Sequence, residues 1–217
     1  APYPLSEQMT AFVEKTVSFN STDSSLAGLR QAYSEMCRAF TPPRPAGLYV
    51  VDFELSGVPV RSYQPPVSPP TGGAPCIVYL HGGGWVVGGL DSHDFICAEL
   101  ASTLGVLVIA VDYRLAPEHP FPAAFDDCLK VWRGLRSGPF RLDPERTLVA
   151  GDSAGGNLAA VGAAAIDYDL HLAILLVLQA AGKIGRNVDA YQHALVVDGL
   201  LEGLLLVRGT IWVKAAA

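Results

Sequence analysis

The sequence predicts an α/β fold with a mostly parallel central sheet and helices on both of its faces. Three observations carry this. A short apolar strand over residues 146–150 runs into a turn from Gly151 to Asn157 and then into a helix of small residues over 158–165. Residues 106–111 form a continuous apolar run, the pattern of a parallel strand covered on both sides. Strands alternate with helices along the middle of the chain, as βαβ units require. With 217 residues, half of them hydrophobic, the chain can bury one substantial core, so a single domain over 1–217 is expected.

Taken in order, the first 40 residues read as two helical pieces. Residues 6–18 carry apolar Met9, Phe12, Val13 and Val17. Residues 24–40 put Leu26, Leu29, Tyr33, Met36 and Cys37 on one face, and Pro42 and Pro43 stop that helix. Each piece has an apolar face that must lie on something. Residues 48–55 and 58–64 read as a hairpin around Ser56 and Gly57, ahead of the main sheet. A stiff-then-flexible surface connection through Pro65, Pro66, Pro69, Pro70, Gly72 and Gly73 leads to a buried strand over 74–80. Helices are expected over 91–104, ended by Gly105, and over 121–136. After the helix at 158–165, residues 170–178 read as another buried strand.

Two glycine-rich turns carry the chemistry. Gly151, Ser153 and Gly155 form a G-x-S-x-G elbow, in which the serine sits on a strained backbone and projects its hydroxyl free of the sheet. Gly151 and Gly155 flank it because strand and helix pass too close there for a Cβ. Glycine is 22 of 217 residues, so a bare elbow pattern would arise by chance in roughly one such sequence in ten. The second turn decides the matter. His81, Gly82, Gly83, Gly84 and Trp85 follow the 74–80 strand directly, and three glycines there let backbone N–H groups face a ligand.

Composition excludes other classes. A net charge of −6 with no Lys/Arg cluster argues against nucleic acid and anionic membrane surfaces. The longest apolar stretch, 195–213, is interrupted by Asp198, Glu202 and Arg208, so stable membrane insertion is not expected. Cys37, Cys76, Cys97 and Cys128 lack metal-ligand spacing, and Cys76 and Cys97 lie in apolar patterns that suit buried free thiols. With no signal peptide in view, the expectation is a cytoplasmic protein. A small-molecule substrate and, at most, a second copy in a homodimer are the expected partners.

The chain resembles the hormone-sensitive-lipase-like branch of the α/β-hydrolase carboxylesterases. The resemblance rests on the His81–Trp85 loop, on the run from Asp112 through Tyr113, Arg114, Glu118 and His119 to Ala124, and on the Gly151–Asn157 elbow. It covers about residues 5–180. It implies an α/β-hydrolase fold with 1–45 as a helical cap over the acyl pocket and 46–180 as core. It also implies Ser153 as nucleophile and backbone N–H groups of Gly83, Gly84 and Ala154 as the oxyanion hole. His81, Gly82, Gly151, Asp152 and Gly155 support these turns. The implied reaction is acyl transfer from an ester to Ser153 and then to water, with no cofactor and no metal. The proline-rich middle motif reads as scaffold, His119 included. Trp85 and the apolar cap helices suggest a pocket for short to medium acyl esters.

The resemblance weakens after residue 180. α/β-Hydrolases supply the triad acid and then the histidine on loops after further strands. Those strands and motifs are not found, so the C-terminal strands are expected to be missing and the triad acid and His stay unassigned. His171 falls at the start of the 170–178 strand, the wrong end for catalysis. The 181–217 segment reads as a second cap segment or a divergent terminus, with His193 in it. All sixteen prolines precede residue 145, which sets that tail apart. No histidine of this chain is therefore expected to hydrogen-bond Ser153, and residues 1–217 alone are not expected to be a competent catalyst. Two function classes follow: a serine carboxylesterase, or an incomplete or non-catalytic relative that binds small ligands, as the plant gibberellin receptors do on this fold. Those receptors depart from the triple glycine, which is intact here, and this favours the enzyme.

Overall fold

The computed structural model describes residues 5–165, the last three by their backbone only. The strand expected over 170–178, His171, His193 and the 181–217 segment lie outside the described residues.

Two helices open the described chain, each started by a serine that satisfies a free amide of the first turn. Ser6 caps α1 (Glu7–Val17) by accepting from Met9 N, and Ser25 caps α2 (Leu26–Phe40) by accepting from Gly28 N. The sheet follows, five strands among the described residues, in the order β1 (Tyr49–Leu55), β2 (Val58–Gln64), β4 (Leu107–Val111), β3 (Ala74–Leu80) and β5 (Leu142–Gly151). β1 and β2 form the expected hairpin. Its two turn residues, Ser56 and Gly57, both have positive φ (55° and 77°), the twist that a two-residue hairpin loop needs. The hairpin is not separate from the main sheet, because β2 pairs antiparallel with β4. β3 then pairs parallel with β4 on one side and with β5 on the other.

Successive side chains of a strand point to opposite faces, and both faces are covered. Cys76, Val78, Leu80, Ile109 and Val111 join Cys128, Val131, Trp132 and Leu135 of α4 (Ala123–Arg136) and Leu158 of α5 (Ala154–Ala165). The alternate residues Ile77, Tyr79, Val108 and Ala110 join Cys97, Ala98 and Ala101 of α3 (Asp94–Leu104) on the other face. The double coverage explains why 106–111 is apolar throughout. The cysteines are free thiols, and Cys76, Cys97 and Cys128 are buried. Among the described residues, no helix is long and apolar enough to cross a membrane.

Some boundaries differ from the sequence reading. α3 starts at Asp94 rather than Asp91, because Ser92 is spent on a turn that bonds both Gly89 N and Gly89 O. α4 starts at Ala123, after Pro122. β5 begins at Leu142, where an irregularity between Ala74 and Cys76 on β3 lets the strand extend past the polar Asp143–Arg146 stretch. The N-terminal helices also differ in how they are held. No residue of α1 is buried, and its Phe12 packs on Phe40 of α2 at 5.0 Å. α2 is fastened to the sheet end by Arg30, whose guanidinium donates to Val86 O (2.8 Å), Ala116 O (3.0 Å) and both Glu118 oxygens (2.7 and 2.8 Å).

Candidate active site

Parallel pairing sets what meets at the carboxyl ends of the strands. Leu80 is opposite Gly151 in the β3–β5 register, so the residues that leave β3 emerge beside those that leave β5. The first set is His81–Trp85 and the second is Asp152–Ala154. Binding sites of open α/β sheets lie at this end.

Ser153 has φ 52°, the left-handed region that non-glycine residues rarely occupy, and α5 starts at the next residue. The strained turn expected at the elbow is therefore present. Its first helical N–H groups, beginning with Ala154, have no partner inside the helix, and the helix dipole favours negative charge there. The elbow can bend this tightly only because of its glycines. A Cβ on Gly151 would come 2.5 Å from Leu80 O, and one on Gly155 would collide with the same carbonyl more severely.

The glycine loop is similarly constrained. Gly83 and Gly84 have φ 121° and 60°, and Gly83 O accepts from Val86 N and Val87 N, which folds the loop back on itself. Trp85 also has positive φ, 62°, which the sequence reading did not anticipate, and the residue is 37% exposed. The proline-rich motif braces the loop from below. Tyr113 Oη donates to His81 O at 2.6 Å, Arg114 pairs with buried Asp127, and Glu118 receives Arg30.

Asp152 joins the two turns. Its Oδ1 accepts from Gly82 N at 2.9 Å and from Tyr79 Oη at 3.0 Å, and His93 Nε2 lies 3.2 and 3.4 Å from its two oxygens. Burial works against the carboxylate, but the hydrogen bonds from His93, Tyr79 and Gly82 outweigh it and hold Asp152 below its ordinary pKa. The sequence reading cast Asp152 as support and did not single out His93 or Tyr79. The only hint for His93 was its place at the polar start of a helix whose next turns are apolar. Among the described residues, no histidine is hydrogen-bonded to the Ser153 hydroxyl.

His81 is almost wholly buried, stacked on Tyr113 with centroids 4.1 Å apart and the planes 9° from parallel. Its Nδ1–H donates to Gly82 O at 2.8 Å, and Nε2 has no partner among the described residues. Burial outweighs that hydrogen bond and lowers the pKa to about 4. The unfolded chain binds a proton near pH 6.5 that the folded chain refuses until about pH 4, so stability falls as pH drops through that window. The loss amounts to about 3 kcal/mol at its full extent. His81→Asn keeps a donor for Gly82 O and removes the titrating ring. Urea unfolding at about pH 7 and pH 4.5 should show the variant losing less stability than wild type. A wild-type-to-variant difference that does not change with pH would contradict the neutral, buried state of His81.

The profile of the alpha/beta hydrolase fold family matches residues 77–198, more than half of the chain. The ethyl acetate hydrolase of Pseudomonas putida is 51% identical over 106 residues, covering 48% of this chain and 33% of its own length. Carboxylesterase NlhH of Mycobacterium tuberculosis is 50% identical over 109 residues, covering 49% of this chain and 34% of its own length. A solved esterase of the bacterial hormone-sensitive lipase family superposes with a TM-score of 0.65 at 28% identity, over 75% of this chain and 52% of that one. The chain thus spans about a third of the length of these two curated relatives.

Proposed function

From a chain that belongs to the hormone-sensitive-lipase-like carboxylesterase family of the α/β-hydrolase superfamily, we propose a protein that hydrolyses carboxylic esters through Ser153. One observation carries the proposal: the β3–β5 register and the Gly82–Asp152 bond set the triple-glycine loop against a serine at φ 52°.

In this reading the Ser153 hydroxyl attacks the ester carbonyl and loses its proton to an imidazole. The tetrahedral oxyanion is held by N–H groups of Gly83, Gly84 and Ala154. Collapse expels the alcohol, which takes up the proton, and leaves an acyl-serine. Water then repeats the attack and frees the acid. The imidazole and the carboxylate that orients it come from residues outside 5–165. α2, fastened over the loop by Arg30, forms the cap side of the pocket, and the exposed indole of Trp85 forms part of its wall. The four free thiols fit a reducing compartment and support a cytoplasmic setting.

A fluorophosphonate probe on the full-length protein should add one adduct, and peptide mapping should place it on Ser153. No adduct, or one on another residue, would overturn the reading. With p-nitrophenyl esters, kcat/KM should be highest for short to medium acyl chains. A rate that rises steadily toward long-chain triglycerides would refute this pocket.

A further inference from the structure

Resting on the reading of Ser153 as nucleophile, we propose that His93 is a positioning residue of the reaction, holding the two halves of the oxyanion hole in register through Asp152. Gly82 leads directly into Gly83 and Gly84, and Asp152 leads directly into Ser153 and Ala154. The Asp152 carboxylate is the group that bonds across this gap, from its own place beside Ser153 to Gly82 N. Its aim is set by three donors from three places: Tyr79 on β3, Gly82 in the loop, and His93 at the start of α3. Two of these come from the β3 side. Only His93 approaches from a different element, so it fixes the carboxylate in the remaining direction.

The hydrogens support this assignment. Nε2 faces both oxygens of an anionic carboxylate, where a lone pair would be repelled, so Nε2 carries a hydrogen. Gly82 N–H lies 3.3 Å from Nε2 and 2.9 Å from Asp152 Oδ1, and it therefore gives its hydrogen to the carboxylate. The other ring nitrogen, Nδ1, is 2.8 Å from Ser92 Oγ, which is itself locked to Gly89 N and Gly89 O at 3.0 and 2.9 Å. The imidazole is thus held at both ends, in a setting only 7% exposed. Its rings neighbour His81 and Tyr79 at 5.6 and 6.2 Å. A misplacement of about 1 Å at a reacting centre can cost on the order of 100-fold in rate.

Two substitutions of similar size and polarity separate positioning from folding. The amide nitrogen of Asn stands near the place of Nδ1, and that of Gln near the place of Nε2. His93→Asn keeps the Ser92 contact and loses Asp152, whereas His93→Gln can still reach Asp152. The full-length wild type and both variants are assayed with p-nitrophenyl butyrate, by rate of fluorophosphonate labelling, and by thermal unfolding. The expected result is a kcat about 10- to 100-fold lower in His93→Asn, KM within about 3-fold, labelling slowed in parallel, and most of kcat recovered in His93→Gln. Equal kcat in the two variants, a loss confined to KM, or a loss that follows the melting temperature instead of the Asp152 contact would overturn the proposal. A wild type that neither hydrolyses the ester nor takes the label would overturn the esterase reading itself. An active wild type with indifferent variants would sink the role of His93 alone.

Discussion

Replacing Ser153 by alanine in the full-length protein is expected to lower kcat toward p-nitrophenyl esters by about 10⁴- to 10⁶-fold. The hydroxyl is the atom that forms the acyl bond in the proposed reaction, and nothing in the elbow can substitute for it. What remains after loss of a nucleophile is the acceleration from the oxyanion hole and binding, on the order of 10³–10⁴ over water. The fold should hardly notice. Alanine has the same Cβ as serine and meets the same φ of 52°, and the bond from Asn157 N goes to the Ser153 backbone carbonyl, which alanine keeps. The melting temperature should therefore stay within a few degrees of wild type. Steady-state kinetics on a preparation checked for contaminating esterase activity reads the result. A folded variant that keeps a hundredth or more of the wild-type kcat would show that Ser153 is not the nucleophile.

Gly155→Ala should have the largest effect on stability. The added methyl would drive into Leu80 O, with His81 O 2.6 Å away, and both are backbone atoms at the end of a central strand. They cannot move without disturbing the β3–β5 register that aligns the two turns. The helix gains a little from alanine's better propensity, up to about 1 kcal/mol, but the collision costs more. Overpacking against rigid backbone puts the net loss at about 3 kcal/mol or above. For a protein of this size that lowers the melting temperature by roughly 6–12 °C. Activity should fall with it, because α5 and the glycine loop are pushed apart. A variant that melts within about 2 °C of wild type would show that strand and helix are not in tight contact at the elbow.

Both glycine turns were legible because their signals are local. The elbow needs glycine at 151 and 155 whatever the rest of the chain does, and a triple glycine after an apolar strand has few uses other than turning amides toward a ligand. The paired helices, the hairpin and the three buried strands were legible from periodicity and from the turn residues between them. The boundaries were less so. The helix expected from residue 91 starts only at Asp94, because Ser92 is taken by Gly89. Residues 142–145 fall outside the strand read over 146–150, yet they belong to β5, where an edge strand among the described residues can keep polar side chains in solvent.

Roles that depend on partners distant in sequence were not legible. Arg30 is one basic residue among fifteen in the sequence, and its hold on Val86, Ala116 and Glu118 exists only once α2 lies over the loop. His93 looked like an ordinary helix-start residue until the fold brought it to Asp152.

By itself, then, the sequence determined the alternation of strands and helices, the two faces of the sheet and the two turns that carry the chemistry. Each of these follows from residues within a few positions of one another, through apolar period, backbone freedom at glycine and capping. The tertiary structure decided which turn meets which. Parallel strands have no hairpin to set their register, so only the packing of α3 on one face and of α4 and α5 on the other brings Leu80 opposite Gly151. From that one alignment come the Gly82–Asp152 bond, the donor from Tyr79 and the approach of His93.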